Sequence, residues 1–352
     1  MAENLTMSQM AKELKLSRRV VSAVVNDNLG AIRVSDETRK RIKEHLRDRG
    51  YVQSKSALQL RNQDRVDTIN LLYCGKFIDV DHLFSALGLM VADIKKTQGL
   101  VNICGVDVDN VQQSIEEYVA QGVRRLIWVH VNIPEEEIGN AEKLFPLLRR
   151  MEQVVIYNYD FVDEHLTEKY LHEGIHLVGF DREGAYRKVA EIFAAQGHKS
   201  IALSDVWSGS GQYMPGNLAL ERVFNDYDMD VIGIHPLEYA NDLEKYDMMF
   251  KQLVAVHKRK NVSCVFIRNQ RASAIIVDKL IAAGIRVPED LAVISFGDNY
   301  YTPCLKVPMT TFAQPVEAMC AKTIELVRSA DKHASSHIFP CEFMARQSHL
   351  IK

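Results

Sequence analysis

Two adjacent arginines, Arg18 and Arg19, begin the stretch of this chain best suited to specific chemistry. A guanidinium presents a planar fork of donors that matches a guanine edge or a phosphate. On a helix over 18–26 the outward residues are Arg18, Arg19, Ser22 and Ala23, and Ser17 stands where a helix is capped. The elements around them must hold that face outward. Residues 5–14 carry the apolar spacing of a short helix, and Lys15-Leu16 forms a tight turn. Ala11 before the turn is small and Val21 after it is β-branched, so the two helices can cross closely. This is the packing of a helix-turn-helix. A third helix begins at Ser35, with Asp36 and Glu37 in its first turn, Ile42 and Leu46 on one face, and Gly50 ending it. Residues 51–61 are short and polar and read as a linker that folds on binding.

Charge separates this head from the rest. Residues 1–62 carry thirteen Lys and Arg against seven Asp and Glu, whereas the whole chain has a net charge of −3. A basic head on an acidic body suits a polyanionic partner for the head alone. Hydrophobic residues make up 47% and charged residues 25% of the 352, the balance of a globular protein with more than one domain. No apolar run is long enough to span a membrane, and no secretory block opens the chain. Six cysteines are scattered without a CxxC pair and read as reduced, mostly buried thiols, so the expected location is cytoplasmic.

From Asp67 onward the pattern is α/β. Strands are expected at 68–73, 100–104, 125–129 and 154–157, with helices at 84–96 and 111–121 between them. The cycle restarts with a strand at 176–179 and a helix at 184–196. Further strands follow at 200–203, 231–234, 264–267 and 292–295. Such alternation implies parallel sheets covered on both faces, arranged as two similar lobes. The expected division is a head at 1–50, a hinge at 51–65, a first lobe at 66–163 with 308–330, and a second lobe at 164–307 with 331–352.

Other reactive residues point to nothing further. Ser208-Gly209-Ser210-Gly211 lacks the Lys and Ser/Thr that end a phosphate loop. His165, His172 and His176 follow no metal-site spacing and are expected at the surface or a strand edge. Cys264 and Cys304 have no nucleophile signature and are expected to be buried thiols, Trp128 and Phe266 to be core, and Lys258-Arg259-Lys260 a solvated helix end. No acid/base pair or cofactor motif stands out, so neither an enzyme nor a cofactor is expected.

The chain resembles the LacI/GalR family of bacterial transcription regulators. The resemblance is carried in the head by Met10-Ala11-Lys12, Leu16-Ser17, Val21-Ser22, Val24-Val25-Asn26, the run 34–42 and Gly50-Tyr51. It continues through Ala57-Leu58-Gln59-Leu60-Arg61, Gly197-His198-Lys199-Ser200-Ile201-Ala202, the run 283–294, Pro308-Met309-Thr310-Thr311-Phe312 and Gln314-Pro315. The implied fold is a helix-turn-helix head and hinge followed by a two-lobed, doubly wound α/β core of the periplasmic-binding-protein type. The implied function is sequence-specific binding of a palindromic operator, as a homodimer, gated by a small-molecule effector such as a sugar between the lobes. Repression is the family's default. By the same resemblance Arg18, Arg19 and Ser22 read bases, Ser17, Asn26 and Tyr51 contact phosphates, and Leu60 wedges into the minor groove beside Ala57.

Several positions depart from the family pattern. Lys15 occupies the turn position usually held by glycine, where a left-handed backbone would cost about 1 kcal/mol. Ala23 replaces an arginine that contacts DNA. The family's pocket arginine would fall near Gly216-Asn217, its strand-end aspartate is Gly297 with Asp298 one step later, and another aspartate is Asn158. The effector set is therefore expected among Tyr73, Asn158, Trp207, Tyr239, Arg268, Asn269 and Asp298. Two readings stay open: a different small molecule in this pocket, or a vestigial pocket with control by a partner protein or by DNA occupancy alone. A sugar-binding receptor is the alternative from another class.

Overall fold

The structure, a computed structural model, describes residues 7–25, 34–48, 68–74, 81–97, 99–106, 110–129, 143–159, 161, 164–204, 222–234, 242–260, 262–331 and 333–350. The chain divides into two compact units, Met1–Val66 and Asp67–Lys352. None of the described helices is long and apolar enough to cross a membrane.

Among the described residues the first unit has the helices α1 (Met7–Leu14), α2 (Arg18–Val25) and α3 (Asp36–Asp48). Their apolar faces meet in one small core of Met10, Ala11, Leu14, Val21, Val24 and Ile42. Ala11 and Val21 are both buried there, as the close crossing requires. Hydroxyls cap both later helices: Ser17 Oγ accepts from the Val20 amide at 3.3 Å, and Ser35 Oγ accepts from the Thr38 amide at 3.3 Å. Arg41 ties α3 to the end of α1 by donating to the Leu14 carbonyl at 2.5 Å. His45 lies 2.7 Å from Glu13 across the same pair of helices.

Lys15 has φ of 53°, the left-handed conformation anticipated from its place in the turn. A side chain there costs about 1–2 kcal/mol, while glycine would cost about 0.5–1 kcal/mol through a freer unfolded chain. Lys15→Gly is therefore expected to stabilise the head by roughly 0.5 kcal/mol, the difference of those two terms. Amide hydrogen exchange in α1 and α2 should slow about twofold. Faster exchange would show that the turn is not strained.

The described residues of the second unit form two six-stranded sheets. The first holds β1 (Thr68–Cys74), β2 (Leu100–Val106), β3 (Arg125–Val129), β4 (Gln153–Tyr157), β5 (Ile175–Asp181) and β11 (Ser336–Pro340), in the order 2-1-3-4-5-11. The second holds β6 (Ser200–Ser204), β7 (Asp230–Ile234), β8 (Cys264–Ile267), β9 (Ala292–Phe296), β10 (Thr310–Ala313) and β12 (Glu342–Met344), in the order 7-6-8-9-10-12. Every pairing is parallel except β10 with β12. Each lobe thus repeats one doubly wound order, with a short strand added at its edge.

Side-chain alternation divides each sheet between two cores. Ile69, Leu71, Ile127, Val129, Val155 and Tyr157 face one layer, while Leu72, Leu126, Trp128, Val154 and Ile156 face the other. The first layer is covered by helix α4 (Asp81–Lys96) through Leu83, Ala86, Met90 and Ile94, and by α10 (Val316–Arg328) through Met319 and Ile324. The second is covered by α5 (Val111–Ala120) and α6 (Glu164–His172) through Val111, Ile115, Leu166 and Tyr170. In the second lobe α7 (Arg182–Ala195) covers Ile201, Leu203, Phe266 and Ile294. Helices α8 (Asp242–Lys260) and α9 (Gln270–Ala282) cover Ala202, Val265 and Val293. One apolar layer runs continuously from α4 through both sheets to α7, joining the lobes.

Lobe boundaries differ from the sequence reading. Residues 164–181 belong to the first lobe, because β5 pairs with β4 from Val154↔Ile175 to Tyr157↔Val178. Strand β10 belongs to the second lobe and β11 to the first. The chain therefore crosses between lobes after Asp181, after Ala313 and after Pro340. A wholly buried strand such as β5 carries no mark of which sheet it joins, since its apolar run satisfies either one. Other expectations hold or fail residue by residue. Trp128 and Phe266 are core, and Lys258, Arg259 and Lys260 are exposed at the end of α8. His176 is buried instead of peripheral, between Gln153 and Ser335. Cys264 is buried but Cys304 is exposed.

Candidate functional site

The head presents Arg18 and Arg19 to solvent, with Ser22 half-buried beside them. Ala23 does not join that face: only 6% of it is exposed. The helix turns about 100° per residue, which places position 23 some 40° beyond Arg19, at the edge of the outward arc. A one-carbon side chain there is covered by its neighbours. The outward surface of α2 is therefore two guanidiniums and one hydroxyl. Asn26, Tyr51, Ala57 and Leu60 lie outside the described residues.

In the larger unit the strand order locates the second site. In each lobe the order reverses beside one strand, between β1 and β3 and again between β6 and β8. Helices leave in opposite directions from such a pair, opening a crevice at the carboxyl ends of the strands where doubly wound folds bind ligands. Tyr73 stands at the first switch, paired with Val129 across the sheet. Its ring lies over Gly105 of β2, where a β-carbon would come within 2.3 Å of Tyr73 Cζ. Arg268 stands at the second switch and bridges it. Its amide donates to Ser204 Oγ at 2.9 Å and its Nε to the Ser204 carbonyl at 2.8 Å. Its Nη1 donates to the Tyr186 hydroxyl of α7 at 2.9 Å. These bonds hold a half-buried guanidinium in one orientation.

Between the switches the two lobes meet through aromatic rings. Phe180 at the end of β5 lies 5.6 Å from Phe296 at the end of β9, centre to centre. Phe296 meets Phe266 at 6.2 Å, and Phe266 meets Tyr186 edge-on at 5.0 Å. His82 of α4 sets its edge against Phe180 at 6.2 Å, and its Nε2 lies 3.3 Å from Asn158 Oδ1. Asn158 itself has φ of 64°, a conformation asparagine tolerates better than most residues. Arg182, the first residue of α7, places its guanidinium carbon 5.6 Å from the Phe180 ring centre.

Two expected ligand groups also have structural work. Asn269 caps α9, its Oδ1 accepting from the Ala272 amide at 2.8 Å. Asp298 accepts from both terminal nitrogens of Arg346, at 2.8 and 2.9 Å, from Thr311 Oγ1 at 2.9 Å, and from Thr302 Oγ1. Burial alone would raise its pKa, but the hydrogen bonds from Arg346, Thr302 and Thr311 and the charge of Arg346 hold it below the usual carboxylate range. At Gly297, φ is 92° and a β-carbon would lie 1.9 Å from Gln270 Oε1, so the buried Gln270 amide fills the place a side chain would take. The structure thus brings Tyr73, Asn158 and Arg268 to the strand ends and adds His82, Phe180, Arg182, Tyr186, Ser204, Gln270 and Phe296. Their common signal in sequence is position, at or just beyond the end of a strand. Trp207 and Tyr239 lie outside the described residues, and no group of His, Cys, Asp and Glu among the described residues is arranged to hold a metal ion.

Residues 190–349 match a family described as "Periplasmic binding protein-like domain". The chain is 22% identical over 352 residues to the probable HTH-type transcriptional repressor ExuR of Bacillus subtilis, spanning 97% of this chain and 98% of that one. It is 23% identical over 323 residues to the HTH-type transcriptional regulator CelR of Thermobifida fusca, covering 89% and 88%. These matches run through head and core together. Over its whole length the chain resembles regulators of the LacI family. Its fold is that of the lac repressor dimer bound to operator and the anti-inducer ONPF, with a TM-score of 0.77 at 16% identity over 99% of this chain and 100% of that one. The relatives that span head and core are regulators of transcription by name.

Proposed function

We propose that the protein binds a palindromic DNA operator as a homodimer, represses transcription there, and changes affinity when a small molecule enters the crevice between the lobes. The observation that carries the first part is the outward face of α2, where Arg18, Arg19 and Ser22 project from a head with six excess positive charges. Arginine reads guanine through O6 and N7, and the serine reaches either a base or a phosphate. Ser17, Asn26 and Tyr51 would supply phosphate contacts, and Leu60, with Ala57 beside it, a wedge in the minor groove. Relatives support this: ExuR is named a repressor, and the lac repressor structure holds a dimer on operator.

Pairing is supported by exposed apolar side chains on one side of the first lobe. Phe84 and Leu89 on α4 are 60% and 40% exposed, and Ile103 on the neighbouring edge strand β2 is 48% exposed. A second copy would cover them, and a two-fold axis would set two heads on two half-sites. The crevice is supported as the effector site by its place at both switch points, and CelR has been solved with cellobiose. Within it the proposed ligand groups are Tyr73, Asn158 and Arg268, with Trp207 and Tyr239.

Salt dependence tests the DNA reading. If about six phosphates are neutralised, affinity for duplex DNA should fall roughly 10³-fold between 50 and 200 mM salt. A binding curve unmoved by salt would instead fit a receptor for neutral ligands.

A further inference from the structure

We propose that the second lobe carries a separate site for a phosphorylated small molecule with two or more negative charges, held by Lys199, Arg222 and Lys260 at the amino ends of β6 and β7. The site is independent of the crevice and of the DNA reading.

Strand direction fixes its place. Lys199 immediately precedes β6 and Asp230 opens β7, and the two strands run parallel from Ser200↔Asp230 to Ser204↔Ile234. The crevice lies at the other, carboxyl ends. The Asp230 amide donates to the Lys199 carbonyl at 3.0 Å and holds the two strand starts together. Helix α8 ends at Lys260. In the helical turn at 222–225, Val223 and Phe224 are buried, so Arg222 and Asn225, three apart, share the outward face. Lys199, Ser200, Arg222, Asn225, Asp230 and Lys260 all line one cavity of about 710 Å³. That volume lies within the roughly 300–1,000 Å³ of small-molecule sites.

Charge sets this cavity apart from the surface around it. Residues 63–352 hold thirty Lys and Arg against thirty-nine Asp and Glu, yet three cations and one acid line the cavity. Elsewhere on the lobe exposed cations pair with carboxylates: Arg187 with Glu183 and Asp226, Lys251 and Lys279 with Asp247, and Lys306 with Asp278. Among the described residues no ion pair engages the side chains of Lys199, Arg222 or Lys260. Asp226, one residue beyond Asn225, is already taken by Arg187. Three like charges around one hollow repel one another, and a bound polyanion would relieve them.

The residue types favour phosphate. Lysine offers a point charge and arginine a two-pronged fork, and a phosphate group presents several oxygens to receive both. Asp230 repels an anion set directly beside it, and with Asn225 and Ser200 it suits hydroxyl groups instead. The occupant read from this set is a phosphorylated molecule that also bears hydroxyls, either a sugar bisphosphate or a nucleoside polyphosphate.

The test is calorimetric titration of the full-length protein with glucose 1,6-bisphosphate, ATP and citrate. At least one phosphorylated probe should bind ten or more times tighter than citrate, which carries charge without phosphate. Preference for the bisphosphate would make the occupant a sugar, and preference for ATP a nucleotide. The titrations are repeated with Lys199→Gln, Arg222→Gln and Lys260→Gln combined. An exposed charge pair is worth up to about fivefold in affinity, so the triple variant should lose at least tenfold and up to about a hundredfold. All three side chains are exposed, so its unfolding midpoint should match the parent's. Citrate binding as tightly as both phosphorylated probes would overturn the phosphate class. Phosphate binding indifferent to the triple variant would place the ligand elsewhere, the crevice included, and overturn the site. Silence from both phosphorylated probes at millimolar concentration would overturn it too.

Discussion

Replacing Arg18 and Arg19 together by alanine is expected to abolish sequence-specific binding while leaving the head folded. Each arginine that pairs with a guanine contributes roughly 1–3 kcal/mol of discrimination, so the double variant should lose a hundredfold or more in operator affinity. Both side chains are exposed and neither belongs to the buried core of Met10, Ala11, Leu14, Val21, Val24 and Ile42, so thermal stability should stay within about 0.5 kcal/mol of the parent. The readout is fluorescence anisotropy with the cognate duplex and a scrambled one. On the proposed reading the two affinities converge in the variant. If both fell in parallel with their ratio preserved, the arginines would be phosphate contacts and the specificity would lie elsewhere.

Asp298→Ala is expected to be the most damaging single change in the core. The carboxylate and the Arg346 guanidinium are each only 15% exposed and form a two-pronged pair, which Thr302 and Thr311 complete. Removing one member leaves a mostly buried cation without its partner, at a cost of about 3 kcal/mol. Chemical denaturation of the full chain measures it. Asp298→Asn adds a check on sign. A carboxylate held below its ordinary pKa contributes stability above its unfolded value, near 3.9, and loses it as pH falls through the folded value. The gap between parent and Asp298→Asn should therefore be full at pH 7 and close below about pH 4. A gap that persisted in acid would mean that the amide's shape, not the lost charge, was responsible.

The head was largely legible because its signals are local. Ser17 and Ser35 are caps within three residues of the amides they satisfy, and Lys15 occupies a turn whose geometry follows from the helices on either side. Ala23 was misplaced because an arc-edge position depends on what lies over it, which helical periodicity alone does not give. The strands of the core were also legible, since alternate and continuous apolar runs mark them directly. The lobes to which residues 164–181, β10 and β11 belong were not, because strand partnership is a long-range property. The same distance hid the fate of Asp298. Its partner Arg346 is 48 residues away, and only the folded second lobe brings them together. Arg182 and Gln270 were overlooked for a related reason: each looks like an ordinary first-turn helix residue until Phe180 and Gly297 are set beside it.

On this reading the chain recognises a palindromic DNA sequence. Selection of duplexes from a random pool by the full-length protein, followed by sequencing of the bound fraction, tests it most directly. The expected result is one enriched motif with two-fold symmetry, its half-sites each bearing the guanines that Arg18 and Arg19 would read. A bound fraction no different in sequence from the starting pool would contradict it.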